Sequence, residues 1–164
     1  MKKHVLAAAA ALVLAACASP PDAKPQAAAE PRATAASKCA APPAELVKRD
    51  LKEGTGETIE TRYAIMVHYT GWLYDGCAPD FKGEMFDTST TRGAPFGLIV
   101  GGGRVIKGWD EGLAGMKVGG KRLLVIPPDK GYGAAVAGGG KIPANSTLVF
   151  EVDAISILQK PRAP

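Results

Sequence analysis

Alternation of apolar and polar residues predicts β-strands through most of the chain after residue 44. The clearest case is Thr61–Leu73, in which four apolar residues recur at every second position: Tyr63, Ile65, Val67 and Tyr69. Shorter stretches with the character of strands are 45–53, 95–100, 121–126 and 148–158.

One segment, 104–116, has helical periodicity instead. Its apolar residues fall on one face at helical spacing: Val105, Ile106, Trp109 and Leu113. Gly108 and Gly112 weaken this helix, so we expect it to be short and held by packing. A turn-rich loop is predicted at 75–85. The pattern over residues 45–160 therefore predicts an α+β domain, with a curved antiparallel β-sheet wrapped around one short amphipathic helix.

The first 44 residues have a different composition, dominated by alanine, with no glycine before Gly54 and no aromatic residue before Tyr63. A short basic start, Met1 to His4, precedes an apolar run of 12 residues at 5–16. That run is too short to span a bilayer, which takes about 20 residues. Residues 1–16 are therefore predicted to be a signal peptide.

The apolar run ends in Leu14-Ala15-Ala16-Cys17, which resembles the lipobox of bacterial lipoproteins. The resemblance implies cleavage before Cys17 and lipidation of that cysteine. An ordinary cleavage site with an incidental cysteine is the alternative. By resemblance to Gram-negative lipoproteins, Ala18 favours the outer membrane. We therefore expect a protein of the cell envelope that faces the periplasm and contacts the membrane only through its lipid anchor.

Residues 17–44 are predicted to form a lipidated tether rich in alanine and proline. The segment 18–38 has no large apolar side chain, so it cannot bury enough surface to offset the entropy of ordering. An alanine-rich helix is the alternative, but prolines interrupt it at positions 20, 21, 25 and 31.

The chain has three cysteines, an odd count for an exported protein. Lipidation of Cys17 would leave Cys39 and Cys77, and an oxidising compartment favours a disulfide between them. Two unpaired thiols are the alternative. The formal net charge of +4 falls to +2 when Lys2 and Lys3 leave with the signal peptide. Basic residues are scattered singly through the domain, so nucleic-acid binding is not expected.

The motifs of common catalytic and metal sites are incomplete in this sequence. Gly115 to Lys121 approaches a phosphate-binding loop, but Arg122 replaces the required Ser or Thr. Once the signal peptide is removed, His68 is the only histidine, and its place within a strand favours a hydrogen-bonded structural imidazole. Hydrolytic triads, Cys-His pairs and histidine-based metal centres therefore lose support, and we expect neither a metal nor a cofactor.

Several blocks in fixed order resemble the FKBP family of peptidyl-prolyl cis-trans isomerases. They are Val67-His68-Tyr69-Thr70-Gly71, Phe86-Asp87-Thr88-Ser89, Pro95-Phe96, Val105 to Leu113, Gly131-Tyr132-Gly133 and Ile142-Pro143 through Phe150. The resemblance covers residues 45–158. It implies a half-open sheet around a short helix, with a shallow apolar pocket between them.

Carried onto this chain, the resemblance gives each pocket residue a role. Trp109 would be the floor, Asp87 and Tyr132 the polar groups, and the Ile106 backbone N–H would bind a substrate carbonyl. Arg92 would pair with Asp87. The remaining residues would be walls: Tyr69, Phe86, Phe96, Val105, Ile106, Ile142 and Phe150.

The resemblance implies a prolyl isomerase that assists the folding of exported proteins. Its partners would be proline-containing polypeptides, with FKBP-directed macrolides as inhibitors, and we expect a monomer. A non-catalytic module that holds proline-containing or unfolded segments in the same pocket is the first alternative. A structural envelope lipoprotein that keeps the fold without the activity is the second.

Overall fold

The computed structural model describes residues 39–161, which form six strands, one α-helix and four short 3₁₀ helices joined by turns and loops. The elements are β1 (Val47–Lys52), β2 (Ala64–Tyr74), β3 (Lys82–Thr88), β4 (Phe96–Ile99), α1 (Lys107–Gly112), β5 (Lys121–Ile126) and β6 (Leu148–Gln159). Within this range, no helix is both long enough and apolar enough to cross a membrane. The predicted signal peptide, the lipidation site Cys17 and most of the predicted tether lie outside the described residues.

The strands form one antiparallel sheet in the order β1-β5-β6-β2-β3, and β4 pairs with the first part of β2. The long strands β2 and β6 occupy the centre. Their pairing shifts register between Ala64 and Ile65 and again between Met66 and Val67. Such irregularities increase the local twist of a sheet. The predicted fold class, an antiparallel sheet with one short helix, is confirmed.

The helix α1 lies closely on β5. A Cβ atom added at Gly108 would stand 2.7 Å from Ile126 Cδ1, and one added at Gly112 would stand 2.8 Å from Leu124 Cδ1. The glycines that weaken the helix therefore permit its close approach to the sheet. In return, Trp109 and Leu113 are buried between helix and sheet, at 4% and 0% exposure.

The helix is shorter than the predicted 104–116. It begins only after Ile106, whose backbone is extended at φ −59° and ψ 146°. It ends at Gly112, and the turn that follows contains Gly115 at φ +78°, in the left-handed region. The apolar periodicity continues beyond both ends because the flanking loops pack on the same core.

The predicted loop 75–85 is also too long, since β3 begins at Lys82. Its sequence, KGEMFDT, has no regular alternation and contains Gly83 and Glu84, which disfavour strands. Pairing with β2 makes the segment a strand, with Asp87 opposite Gly71. This strand carries Phe86, which is buried in the core, and Asp87.

A disulfide joins Cys39 to Cys77, with Cα atoms 4.5 Å apart. Beside it, the Ala40 N–H donates to the Gly76 carbonyl at 3.0 Å. The Tyr74 hydroxyl lies 3.0 Å from the carbonyl oxygens of both Ala40 and residue 41. Residues 39–41 therefore pack on the body of the domain, ahead of the start that we predict at residue 45.

A buried arginine joins β1 to the end of the helix. Arg122 donates to both carboxylate oxygens of Asp50, at 2.6 and 3.0 Å, and to the carbonyls of Gly112 and Ala114, at 2.8 and 3.3 Å. The hydrogen bond from Arg122 lowers the pKa of Asp50 against the opposing effect of burial. One side chain thus fixes an edge strand and satisfies carbonyl groups that the end of a helix leaves unpaired.

Candidate active site

Trp109 lies at the centre of an aromatic cluster between α1 and the sheet. Its ring meets three others edge to face: Tyr69 at a centroid distance of 5.1 Å, Phe150 at 5.3 Å and Phe96 at 6.1 Å. Phe86 packs edge to face on Phe150 at 5.5 Å. Aromatic rings favour this geometry because the positive edge of one meets the negative face of another. The interlocked rings form a firm apolar surface.

Three polar side chains form a network at the edge of this cluster. The Tyr69 hydroxyl donates to Asp87 Oδ2 at 2.6 Å. The Arg92 guanidinium donates to both oxygens of Asp87, at 2.7 and 2.5 Å, and to the Tyr69 hydroxyl at 2.9 Å. The carboxylate is therefore fixed in position from two sides.

The network shifts the pKa values of its members in opposite directions. Burial alone would raise the pKa of Asp87, but hydrogen bonds from Tyr69 and Arg92 outweigh it and hold the pKa below its usual value. Burial, and then the hydrogen bond to Asp87, raise the pKa of Tyr69 to about 12. At neutral pH Asp87 is thus a carboxylate and Tyr69 a protonated donor.

Three other N–H or O–H groups at this place have no acceptor within residues 39–161. The Trp109 indole Nε1–H is buried and unpaired. The Ile106 backbone N–H, directly ahead of α1, makes no hydrogen bond in that range, nor does the hydroxyl of Tyr132. Tyr132 is 41% exposed, and burial followed by the charge of Asp87 raises its pKa. Because the indole N–H is fully buried, the Ile106 N–H and the Tyr132 hydroxyl are the donors that a ligand carrying acceptors would meet beside this apolar surface.

A cavity of about 390 Å³ opens over the Trp109 ring. It brings together nine of the predicted site residues: Tyr69, Phe86, Asp87, Phe96, Val105, Ile106, Trp109, Tyr132 and Phe150. Arg92 does not line the cavity but reaches it through Asp87. The volume of the cavity falls within the range of small-ligand sites.

The predicted wall residue Ile142 does not line the cavity. Its backbone exchanges two hydrogen bonds with Ala137, at 3.0 and 3.1 Å, and its side chain is 2% exposed within the core. The side chain of Ile142 is therefore directed into the core of the protein. Ile142 is thus a residue of the core and not a wall of the cavity.

Gly103 and Arg104 line the cavity although they were not predicted to do so. They directly precede the predicted site residues Val105 and Ile106 in the chain, and this proximity could have predicted that they line the cavity. His68 does not line the cavity; its Nδ1 lies 3.0 Å from the hydroxyl of Ser89. No cluster of three or more metal-ligating side chains occurs between residues 39 and 161.

The sequence profile of one family, described as FKBP-type peptidyl-prolyl cis-trans isomerase, matches residues 56–155. This match spans every residue that lines the cavity. The chain belongs to the FKBP-type peptidyl-prolyl cis-trans isomerases.

Individual relatives agree with this assignment. An FK506-binding protein of Neisseria meningitidis serogroup A is 47% identical over 114 residues, covering 70% of this chain and 97% of the relative. The crystal structure of AtFKBP13 has a TM-score of 0.59 at 38% identity and covers 68% of this chain and 92% of that one. FkpA from Escherichia coli has a TM-score of 0.59 at 42% identity, covering 71% of this chain and 49% of FkpA.

Proposed function

We propose that the cavity over Trp109 is where this isomerase binds the X–Pro bond and lowers its barrier to rotation. The aromatic surface beside the unpaired Ile106 N–H and Tyr132 hydroxyl is the observation that carries the proposal. The pyrrolidine ring of proline is compact and apolar, and it fits a surface made of aromatic edges and faces.

The chemistry of the reaction suits such a surface. Rotation about the amide costs about 18–20 kcal/mol because it breaks the resonance of the planar group. The planar amide is more charge-separated than the twisted one, so an apolar site favours the twisted form relative to water. An acceleration of about 10⁵ requires only about 7 kcal/mol. Desolvation and orientation of the substrate can supply a free energy of this size without a covalent intermediate.

The donors around the cavity would fix the substrate on either side of the bond. The Ile106 N–H binds a substrate carbonyl, and the Tyr132 hydroxyl provides a second donor at the rim. Asp87, fixed by Tyr69 and Arg92, presents a carboxylate to the twisting amide. Interactions that improve as the amide twists lower the barrier, whereas equal binding of both forms does not.

Relatives named FK506-binding proteins support a further part of the proposal, that macrolides of this type occupy the same cavity. A macrolide bound over Trp109 would exclude the X–Pro bond. Competition between such a macrolide and a short X–Pro peptide tests whether both use one site.

The biological setting that we propose is the folding of exported proteins at a membrane. It is supported by the predicted signal peptide and the lipobox-like sequence that ends in Cys17. Labelled fatty acid should be incorporated into the wild-type protein and not into Cys17→Ser. Incorporation into both proteins, or into neither, contradicts the lipid anchor.

Refolding of a secreted protein that is limited by proline isomerisation tests the folding role. We expect the purified protein to shorten the slow refolding phase and Asp87→Ala to shorten it less. A slow phase that is unchanged by the wild-type protein, while the protein still binds the client, would favour the non-catalytic binding module.

A further inference from the structure

Arg104 gives the rim of the cavity a positive charge that its surroundings do not neutralise. Among residues 39–161, the charged residues that line the cavity are Asp87 and Arg104. The charge of Asp87 is paired with Arg92. Among residues 39–161, no carboxylate lies within 4.0 Å of the Arg104 guanidinium. A ligand in the cavity therefore meets one excess positive charge.

The loop that carries Arg104 is fixed in place by Asp110 of the helix. Its two carboxylate oxygens accept hydrogen bonds from the backbone N–H groups of Gly101, at 2.8 Å, and Gly103, at 2.9 Å. These bonds pair the Asp110 carboxylate with backbone donors rather than with Arg104. They also hold the chain at the residue directly before Arg104, so the base of its side chain is fixed against the cavity.

The other residues that line the cavity, apart from Asp87, carry no charge. The segment 134–140, which follows Tyr132 in the chain, contains only alanine, valine and glycine. Arg104 also stands two residues before Ile106, whose N–H we propose to bind a carbonyl of the substrate. Substrate residues next to the proline therefore pass close to Arg104.

We infer that Arg104 makes this isomerase prefer X–Pro bonds flanked by an acidic residue. This inference rests on the proposed function, because it assumes that the substrate proline occupies the cavity over Trp109. A solvent-exposed ion pair has a modest effect, so we expect about a two- to fivefold gain in kcat/KM for a flanking glutamate over glutamine. The gain should fall as salt screens the two charges.

The test uses two pairs of short X–Pro peptides that differ only in Glu against Gln, placed before the proline in one pair and after it in the other. The ratio of kcat/KM within each pair is measured at low salt and at about 0.5 M salt. We expect a ratio above two in at least one pair, lost in Arg104→Gln and inverted in Arg104→Glu, where repulsion between the two carboxylates makes glutamine the preferred neighbour.

Lys107 offers a matched control, because it is an exposed positive charge three residues away that does not line the cavity. Lys107→Gln should keep the preference for glutamate. Equal ratios for wild type and Arg104→Gln would overturn the inference, because Arg104 would then have no effect on the preference. The same loss in Lys107→Gln would also overturn it, because any nearby positive charge would then have the same effect.

A binding measurement separates this inference from the proposed function. Dissociation constants for the same peptides, from amide chemical-shift titrations, give the Glu-to-Gln preference without turnover. Absence of acceleration with an Arg104-dependent preference in binding would contradict the proposed function and support the inference. Acceleration of all peptides without any preference for glutamate would support the proposed function and contradict the inference.

Discussion

The two edges of the sheet each carry an aspartate–arginine pair, and the two pairs have different consequences. On the β1 edge, the side chain of Arg122 is 10% exposed and binds Asp50. On the β3 edge, the side chain of Arg92 is 52% exposed and binds Asp87. The same two residue types thus occupy a buried and a solvated environment in one domain.

Their other partners explain the difference. Arg122 also donates to two backbone carbonyls at the end of the helix, so its loss would leave buried acceptors unsatisfied. Arg92 instead donates to the hydroxyl of Tyr69, a side chain of the cavity. One pair therefore stabilises the fold, and the other shapes the site. The predictions below separate stability from activity at each place, from the largest expected effect to the smallest.

Loss of the disulfide should have the largest effect on stability. Cys39 and Cys77 are 38 residues apart, and on the chain-entropy model a ring of that length contributes about 4 kcal/mol. We expect Cys39→Ser/Cys77→Ser to lower the free energy of urea unfolding by up to that amount. Because neither cysteine lines the cavity, kcat/KM at 25 °C should stay within twofold. Reduction of the wild-type protein should reproduce the effect, and a tenfold loss of activity in folded protein would contradict it.

Arg122→Ala should have the next largest effect on stability. Removal of Arg122 leaves the carbonyls of Gly112 and Ala114 without their donor, and an unsatisfied buried polar group costs about 1–3 kcal/mol. We expect that loss in urea unfolding, with unchanged kcat/KM per folded molecule. If the variant does not fold, Asp50→Asn provides a milder test, since the Asp50 side chain is 48% exposed.

Arg92→Ala is the matched change at the other edge. It should destabilise the protein less than Arg122→Ala, because water solvates the exposed groups that it leaves. Its kcat/KM should fall, since Asp87 and Tyr69 lose a shared partner. Equal losses of stability at the two edges would remove the distinction between the pairs.

Asp87→Ala should act mainly on activity. It removes the carboxylate that Tyr69 and Arg92 hold at the cavity, and we expect about a tenfold fall in kcat/KM on X–Pro peptides, equivalent to about 1.4 kcal/mol. The near-ultraviolet circular dichroism should keep the signal of the packed aromatic cluster. Loss of that signal together with activity would mean that Asp87 is mainly structural.

Tyr132→Phe removes one hydroxyl at the rim and should have a smaller effect. A single neutral hydrogen bond contributes about 1 kcal/mol, so we expect about a fivefold fall in kcat/KM. The unfolding curve should hardly move, because Tyr132 is 41% exposed. An unchanged kcat/KM would show that this hydroxyl does not contact the substrate.

The pH dependence of stability should show the smallest effect. The pKa of Asp87 is lowered in the folded protein, so its ionised form contributes stability above its unfolded pKa, about 3.9. That contribution is lost as pH falls through the lower folded value. The difference in unfolding free energy between wild type and Asp87→Asn should be constant above about pH 5 and shrink below about pH 4. A difference that does not decrease between about pH 4 and pH 2 would contradict the assignment.

The long central strands were predictable because period-two alternation reports directly on a sheet with one face in the core. By contrast, β3 has low strand propensity and exists through its pairing with β2, which local sequence does not reveal. The helix ends were missed for a related reason. Residues on either side of α1 contact the same core, and apolar spacing records burial rather than backbone hydrogen bonding.

The site was predictable where motifs cluster along the chain, as at Phe86 and Asp87. Ile142 shows the limit of prediction from motifs. Its position in a motif does not determine whether its side chain points into the cavity or into the core. The Asp50–Arg122 pair joins residues 72 positions apart, and no local pattern marks it. Long-range pairs of this kind depend on strand order.

The most direct test of the central claim, that the cavity over Trp109 catalyses isomerisation, is a prolyl-isomerisation assay on a short X–Pro peptide with and without an FK506-type macrolide. Amide shifts of the Trp109 region, recorded in parallel, report when the cavity is filled. We predict acceleration by the protein alone and its loss as the macrolide saturates the cavity. Acceleration that persists with the cavity filled, or its absence in natively folded protein, would contradict the account.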